Sequence, residues 1–509
     1  MATSSSLSLE DVKTHNSPDS CWVVISNQVW NVTDFLPSHP GGAEAILKYA
    51  GRDATQIYNE LHAPGMLEEA LAHDKFIGDI LPSSDVPPKA TIEEASAAEN
   101  SLQPQIQTPI KAEAVQTPSQ SLLPYEKPHL HSLISAADFQ EVARHTLTPK
   151  AWAFYSSAAT DLVTYGMNKS IIRRIMFRPR VLRDVKTVSI KRKVLGCESS
   201  TPFFISPAAM ARMAHPDGEL ALARGAGDEG IVHCISSNAS YPLSSIVKAG
   251  NADQTFWLQL YVNSDRGKTE ELLRKAAALG IKGIFVTVDA PVPGKREADE
   301  RIAAENVASA ISGAVASNDK KGGGMGRLMA AYVEKSLIWE DISWIKKVSG
   351  LPVVLKGVQS AADAMMAARF GADGIFLSNH GGRSLDGAQP SILVLLELHR
   401  ICPDVFDKLH IYIDGGFERG SDILKAIALG ATAVGVGRPY LYSLTYGKEG
   451  VEHLTQILKD ELETSMRLCG ITDISQAHPG LLNTSDIDHM VSTSADEHPY
   501  IRWKPKAML

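Results

Sequence analysis

The sequence predicts an α/β protein built on a (β/α)8 barrel, with a small α+β domain in front of it. Three observations carry that reading. Eight short apolar runs alternate with helical stretches between Phe203 and Gly437. Each run ends in polar or glycine residues, where strand propensity alone would not put them. The composition also breaks near Leu81, where a proline-rich stretch divides a short acidic segment from a long one.

The short segment, residues 7–81, mixes β-like runs (Cys21–Ile25, Gln28–Val32) with short helical stretches (Ala43–Ala50, Ala54–Glu60). Residues 1–81 hold 4 Lys+Arg against 11 Asp+Glu, while the remainder holds 46 against 47. An acidic domain beside a nearly neutral body can steer a basic partner to itself. Residues 82–127 carry seven prolines, many Ser, Thr, Gln and Ala, and one aromatic, Tyr125. Such a stretch buries too little apolar surface to offset its ordering entropy, and it reads as an interdomain linker. Globular patterning resumes near Pro128 and runs to about residue 490, leaving 491–509 as a tail.

Within the long segment the runs are Phe203–Ser206, Ile231–Ser236, Trp257–Val262, Ile284–Asp289, Pro352–Lys356, Gly374–Ser378, His410–Asp414 and Ala433–Gly437. Helical stretches such as Lys268–Leu279, Ala361–Phe370 and Ser421–Leu429 lie between them. The runs are nearly continuously apolar, as parallel strands buried on both faces require. Eight β-α units of this length suit a barrel; a doubly wound open sheet is the competing topology. A barrel keeps its active site at the C-terminal ends of its strands. Those ends collect Ser206 to Ala209, Ser236, Gln259 to Tyr261, Thr287 to Asp289, Lys356, Ser378 to Arg383, Asp414 to Gly416, and Gly437 with Arg438.

The bulk numbers narrow the function. A net charge of −8 argues against nucleic acid as a partner. No stretch reaches the roughly 18 uninterrupted apolar residues of a membrane span. The N-terminus has neither the apolar core of a secretory signal nor the Arg-rich amphipathic pattern of a presequence, so the expected location is the cytosol, with the mitochondrial intermembrane space as the alternative. Five scattered cysteines without a C-x-x-C pair fit reduced thiols, not a disulfide framework or a zinc site.

Two histidines in the short segment stand out. His39 sits in Leu36-Pro-Ser-His-Pro-Gly-Gly42, and His62 in Glu-Leu-His-Ala-Pro-Gly. A b-type haem needs two neutral imidazoles on opposite faces of the iron, and a Pro-Gly-Gly turn brings backbone near the porphyrin edge without Cβ clashes. Two axial histidines leave no open coordination position, which favours electron transfer over oxygen chemistry. Cys21-Trp22, Val32-Thr-Asp-Phe35, His39-Pro-Gly-Gly and His62 occur in that order, and over about 75 residues the segment resembles the cytochrome b5 family. The resemblance implies that His39 and His62 are the axial ligands of haem b. His15 and His73 fall outside the motif and read as surface residues.

In the long segment, His380 and Arg383 stand three residues apart after a strand. An imidazole can take a proton from a hydroxyl or α-carbon, and a guanidinium can grip a carboxylate with two parallel bonds. Together they suit a 2-hydroxy acid. Asp289 can orient His380 and stabilise its imidazolium. Lys356 is placed to stabilise negative charge on a reduced cofactor. Asp414–Gly416 and Gly437–Arg438 end the last two strands, where barrels often hold phosphate. From about Pro128 to Ile471 these motifs resemble the family of FMN-dependent L-2-hydroxy acid oxidases and dehydrogenases, and the two segments in this order resemble the flavocytochrome b2 type.

The resemblance implies a set of roles. His380 is the base, Asp289 its partner, Arg383 the carboxylate clamp, Tyr261 a substrate contact and Arg296 a second cation. Pro207, Ala208, Ala209, Ser236, Gln259, Thr287 and Lys356 surround the flavin ring, while Asp414, Gly415, Gly416, Gly437 and Arg438 hold ribityl and phosphate. Ala298–Gly326, glycine-rich at its end, is the mobile loop over the site. It further implies a one-electron acceptor such as cytochrome c, and a homotetramer is the expected assembly.

Three positions depart from the family pattern. Phe154 replaces the first of two tyrosines, Glu418 stands where a phosphate arginine is usual, and Asn238 fills a pocket position that is more often apolar. The alternatives to a lactate-type dehydrogenase are an O₂-using oxidase, an enzyme for a larger hydroxy acid in specialised metabolism, and an electron-transfer or binding protein whose barrel has lost catalysis.

Overall fold

The computed structural model describes residues 7–39, 42–55, 57–58, 71, 75–80, 125–302, 307–313, 315–316 and 324–494. His62, His73, residues 82–124 of the linker and residues 495–509 of the tail lie outside the described residues.

The N-terminal domain carries a four-stranded antiparallel sheet: β1 (Asn16–Ser17), β2 (Ser20–Ile25), β3 (Gln28–Asn31) and β4 (Phe76–Asp79), paired in that order. Strand alternation sorts its side chains to two faces. Cys21, Val23 and Ile25 pack with Trp30, Leu36 and Ala50, whereas Val24 and Val29 pack with Val12 of the helix Leu9–Lys13 on the other face. A 3₁₀ turn, Thr33–Ser38, leads into His39, whose backbone is extended. His15 is not a plain surface residue. Its ring stacks on Trp22 with centroids 3.5 Å apart, and its Nδ1 bonds with the Ser20 hydroxyl at 2.6 Å.

The barrel closes from eight parallel strands: β5 (Phe203–Ile205), β6 (His233–Ser236), β7 (Phe256–Leu260), β8 (Ile284–Thr287), β9 (Val353–Val358), β10 (Gly374–Leu377), β11 (His410–Ile413) and β12 (Ala433–Val436). Each strand pairs with its neighbours in chain order, and β12 pairs back onto β5, so the open-sheet topology is excluded. Apart from exposed His410, every residue of these strands is buried, which accounts for their unbroken apolar character. The ladder between β9 and β10 shifts register between Lys356 and Val358, a bulge at the mouth of the site.

The bottom of the barrel is sealed. Phe204, Trp257, Phe285, Phe376 and Tyr412 form one buried aromatic cluster, with Trp257 and Phe285 stacked at 4.7 Å. Val194 and Leu195 of the hairpin Arg192–Val194/Cys197–Ser199 pack into the same cluster. Fully buried side chains of this size contribute roughly 1.5–3 kcal/mol each, which fixes the strands from below.

Helix starts follow their capping residues. Ser135 and Ser360 accept from the backbone N–H of Asp138 and Asp363, and Thr148 caps the helix Pro149–Ser156 with proline in its first turn. The helix Val163–Arg174 is held by Asp386, whose carboxylate accepts from the backbone N–H groups of Asp161, Val163 and Thr164. The globular body also begins before Pro128. Tyr125 stacks on His145 at 4.3 Å, and the Lys127 ammonium lies 3.8 Å from the Tyr446 ring centre. The linker composition hid those contacts, because their partners lie far along the chain.

Candidate active site

The C-terminal ends of the barrel strands open into one cavity. His380, Arg383, Tyr261, Arg296, Pro207, Ala208, Ala209, Ser236, Gln259, Thr287, Lys356, Asp414, Gly415, Gly416, Gly437 and Arg438 all line it. Asp289 stands just behind, its side chain fully buried.

His380 follows β10 in the left-handed region at φ +60, and Gly381 and Gly382 continue that conformation. A non-glycine residue there costs about 1–2 kcal/mol. A reciprocal amide pair pins the loop: Asn168 and Asn379 exchange hydrogen bonds of 2.9 and 2.8 Å, and Asn379 Oδ1 accepts from the Gly382 N–H. His380 Nδ1 bonds Asp289 Oδ1 at 2.9 Å, and its Nε2 lies 3.2 Å from the Tyr261 hydroxyl. Burial lowers the pKa of the imidazole, and Asp289 opposes that only in part. Burial raises the Asp289 carboxyl, but His380 and Lys356 outweigh it and hold the group below its ordinary value. His380 is therefore neutral and Asp289 ionised at neutral pH.

Lys356 projects from β9 into the centre of the cavity floor. Its ammonium donates to Ser378 Oγ at 3.1 Å and lies 4.0 Å from both the Asp289 and Asp414 carboxylates. Gln259 bridges Ser236 and Thr287 through its amide. Three arginines crowd one side. Arg383 donates to the Phe154 carbonyl at 2.6 Å and sits 5.2 Å over the Phe154 ring; its Nε is buried with no protein partner among the described residues. Burial, Arg296 and Arg438 push its pKa down, the signature of a cation waiting for an anion. Arg296 lies under Gly326, where a Cβ would come within 2.3 Å of its guanidinium.

These residues fit a bound flavin mononucleotide. Asp414 Oδ1 is buried without a partner among the described residues, as an acceptor for ribityl hydroxyls would be. The neighbouring Gly415 and Gly416 take φ +96 and +89, exposing backbone to a ligand. In the N-terminal domain, His39 Nδ1 donates to the Gly42 carbonyl at 3.0 Å, which puts the ring's lone pair on Nε2, the form an axial haem ligand needs. His62 lies outside the described residues.

Two expectations gain detail. Where it is described, the stretch Ala298–Gly326, expected as a mobile loop, carries local structure. Val307–Ala308 pairs with Val315–Ala316, and Met325 and Gly326 are buried in a helical turn. The polarity of Asn238 also serves this segment. Its Oδ1 accepts from Ser312 at 3.0 Å and Tyr332 at 2.9 Å, so the side chain lines the cavity, as its position implied, and ties the loop at the same time.

Sequence reasoning missed Tyr165, Asn168 and Lys169, which line or brace the cavity from the helix Val163–Arg174. Their i, i+3, i+4 spacing marks one helix face and was the available signal.

Comparison with known proteins agrees with this geometry. Residues 143–484 match the model of the FMN-dependent dehydrogenases, and residues 8–81 match the cytochrome b5-like haem/steroid binding domain. The chain is 40% identical over 497 residues to the L-lactate dehydrogenase (cytochrome) of Wickerhamomyces anomalus, covering 97% of this chain and 82% of that one. It is 40% identical over 489 residues to the enzyme of the same name from Saccharomyces cerevisiae, covering 94% and 80%. A mutant flavocytochrome b2 structure with pyruvate bound superposes with a TM-score of 0.65 at 40% identity, over 74% of this chain and 94% of that one. This chain therefore belongs to the FMN-dependent dehydrogenase family, as a member of the flavocytochrome b2 type with a cytochrome b5-like domain in front of its barrel.

Proposed function

We propose that this chain oxidises a small L-2-hydroxy acid, L-lactate foremost, to its 2-oxo acid, and passes the electrons singly to an external cytochrome. The observation that carries the reading is a neutral, Asp289-braced His380 whose Nε2 faces the same cavity as an anion-hungry Arg383 and the buried Lys356. When bound, FMN supplies the two-electron acceptor and haem b the one-electron relay.

The protein's own part is binding and proton transfer. Arg383, with Arg296 beside it, receives the substrate carboxylate, which supplies the anion that the buried guanidinium lacks. That places the substrate hydroxyl near Tyr261 and His380 Nε2. His380 takes the proton released on oxidation, and Asp289 stabilises the imidazolium so formed. Lys356 offsets the negative charge that develops against the cavity floor. Each of the two units, 7–81 and the body expected from 128 that already starts at Tyr125, would hold one cofactor. A homotetramer, to which exposed Val181, Leu182 and Leu468 would offer apolar surface, and a cytosolic location complete the proposal.

Anaerobic spectra of the full chain before and after L-lactate test the reading. Flavin bleaching followed by reduced-haem bands, and reduction of added cytochrome c without peroxide, is the expected result. An unbleached flavin would overturn the substrate assignment, and stoichiometric peroxide in air would favour an oxidase.

A further inference from the structure

The end of the cavity that should take the flavin phosphate carries an unusual charge arrangement. Glu418 stands there as an anion, which a phosphate dianion would avoid. Arg419, the next cation in sequence, is spent elsewhere: it pairs with Glu461 at 2.6 Å and does not line the cavity. Arg438 does line it, with its Nε and Nη2 pinned by the carbonyls of Tyr155, Ser157 and Gly381. Carbonyls position a guanidinium without neutralising it, so its charge remains available to an anion.

Lys169 supplies another cation on the same wall. Its ammonium meets Glu418 Oε1 at 2.5 Å, and both side chains are about three-quarters buried. Lys169 and Arg438 flank one aromatic ring, 5.2 and 4.7 Å from the centre of Tyr165. The backbone of Lys169 is docked on the turn that follows β11. At Gly416 an added Cβ would stand 2.6 Å from the Asn168 carbonyl and 3.0 Å from the Lys169 N–H. That contact requires glycine and ties the lysine to the turn that ends in Glu418.

We propose that Lys169 is the second phosphate cation of this flavin site, with Glu418 as the residue that positions it. The charge usually carried by an arginine after the Asp-Gly-Gly turn has moved to the helix Val163–Arg174, and the turn carries the counter-anion instead. The proposal rests on the FMN reading above. It differs from the simpler expectation that Glu418 merely weakens FMN binding.

The test compares FMN with riboflavin, which lacks the phosphate, on the full haem-loaded chain stripped of flavin. Binding is read by quenching of flavin fluorescence. Lys169→Met keeps the stem and removes the charge. It should raise the FMN Kd by about 10- to 100-fold, the weight of one charge-assisted contact, while changing riboflavin binding less than about twofold. Lys169→Arg should restore most of the FMN affinity, and Glu418→Gln, which keeps an acceptor to hold Lys169 and removes only the anion, should not weaken it. Unchanged FMN affinity in Lys169→Met would overturn the proposal. So would an equal loss for riboflavin, which would make Lys169 a scaffold residue. Failure of the unmutated chain to bind FMN at all would instead defeat the cofactor reading.

Discussion

Asp289 accepts the Nδ1–H of His380 across 2.9 Å, and this bond decides which imidazole nitrogen faces the cavity. The carboxylate is wholly buried and ionised, so it fixes the tautomer with the lone pair on Nε2 and readies the ring to become a cation. The same carboxylate lies 4.0 Å from Lys356, so base and floor cation share one anchor.

His380→Gln should therefore leave the flavin spectrum intact and slow its reduction by substrate by on the order of 10²-fold or more, the usual weight of a general base. Stopped-flow bleaching under anaerobic conditions measures it. Near-normal reduction would remove His380 from the proton transfer.

The pH dependence follows from the direction of the His380 shift. Burial lowers its pKa below the ordinary imidazole value of about 6.5, and a base must be neutral to act. The acid limb of kcat/KM should be centred below 6.5, with activity retained at neutral pH. An acid limb centred above 6.5 would contradict the burial argument.

Gly326→Ala should disturb substrate binding from the loop side. The new methyl would stand 2.3 Å from the Arg296 guanidinium and force it to swing away. Losing one charge-assisted contact to the carboxylate predicts a KM roughly 10-fold higher, with kcat changed less. An unaltered KM in steady-state assays would mean that Arg296 does not touch the substrate.

His233 predicts a stability effect away from the chemistry. It lies buried in β6, with its Nδ1 unpartnered among the described residues, and burial pushes its pKa down to about 3. The unfolded chain takes up that proton near pH 6.5, so the unfolded state binds more protons between those values. Stability should be complete above pH 6.5 and fall by about 1.4 kcal/mol per pH unit from this group as the medium is acidified. Urea titrations at pH 7.5 and 5 should show a smaller difference for His233→Gln. An identical difference would show that His233 does not set the slope.

His39→Ala should abolish stable low-spin haem binding, because the iron loses the imidazole that Gly42 orients. An unchanged low-spin spectrum in the purified variant would refute the ligand assignment.

The strands were legible because burial on both faces leaves an unambiguous mark, and the site was legible because polar and glycine residues interrupt that mark at each strand end. Contributions from outside the barrel were not. Asn168 braces Asn379 across 211 positions, and nothing local to either residue announces the pair. Arg296 and Gly326 meet through the fold, not through spacing. Asn238 does line the pocket, but the partners that hold its Oδ1, Ser312 and Tyr332, lie 74 and 94 positions away and left no local mark.

The aromatic seal beneath the barrel has a kinetic consequence. With Trp257, Phe285 and Tyr412 packed beneath it, the cavity resembles a vessel closed from below, with its neck on the strand-end side. The 2-oxo acid must leave by the route that the next hydroxy acid uses to enter, so the two species exclude one another in transit as well as at Arg383. Turnover in such a vessel obeys a queue. Accumulating product competes directly with incoming substrate, and rapid removal of the oxo acid outside the protein keeps the neck clear.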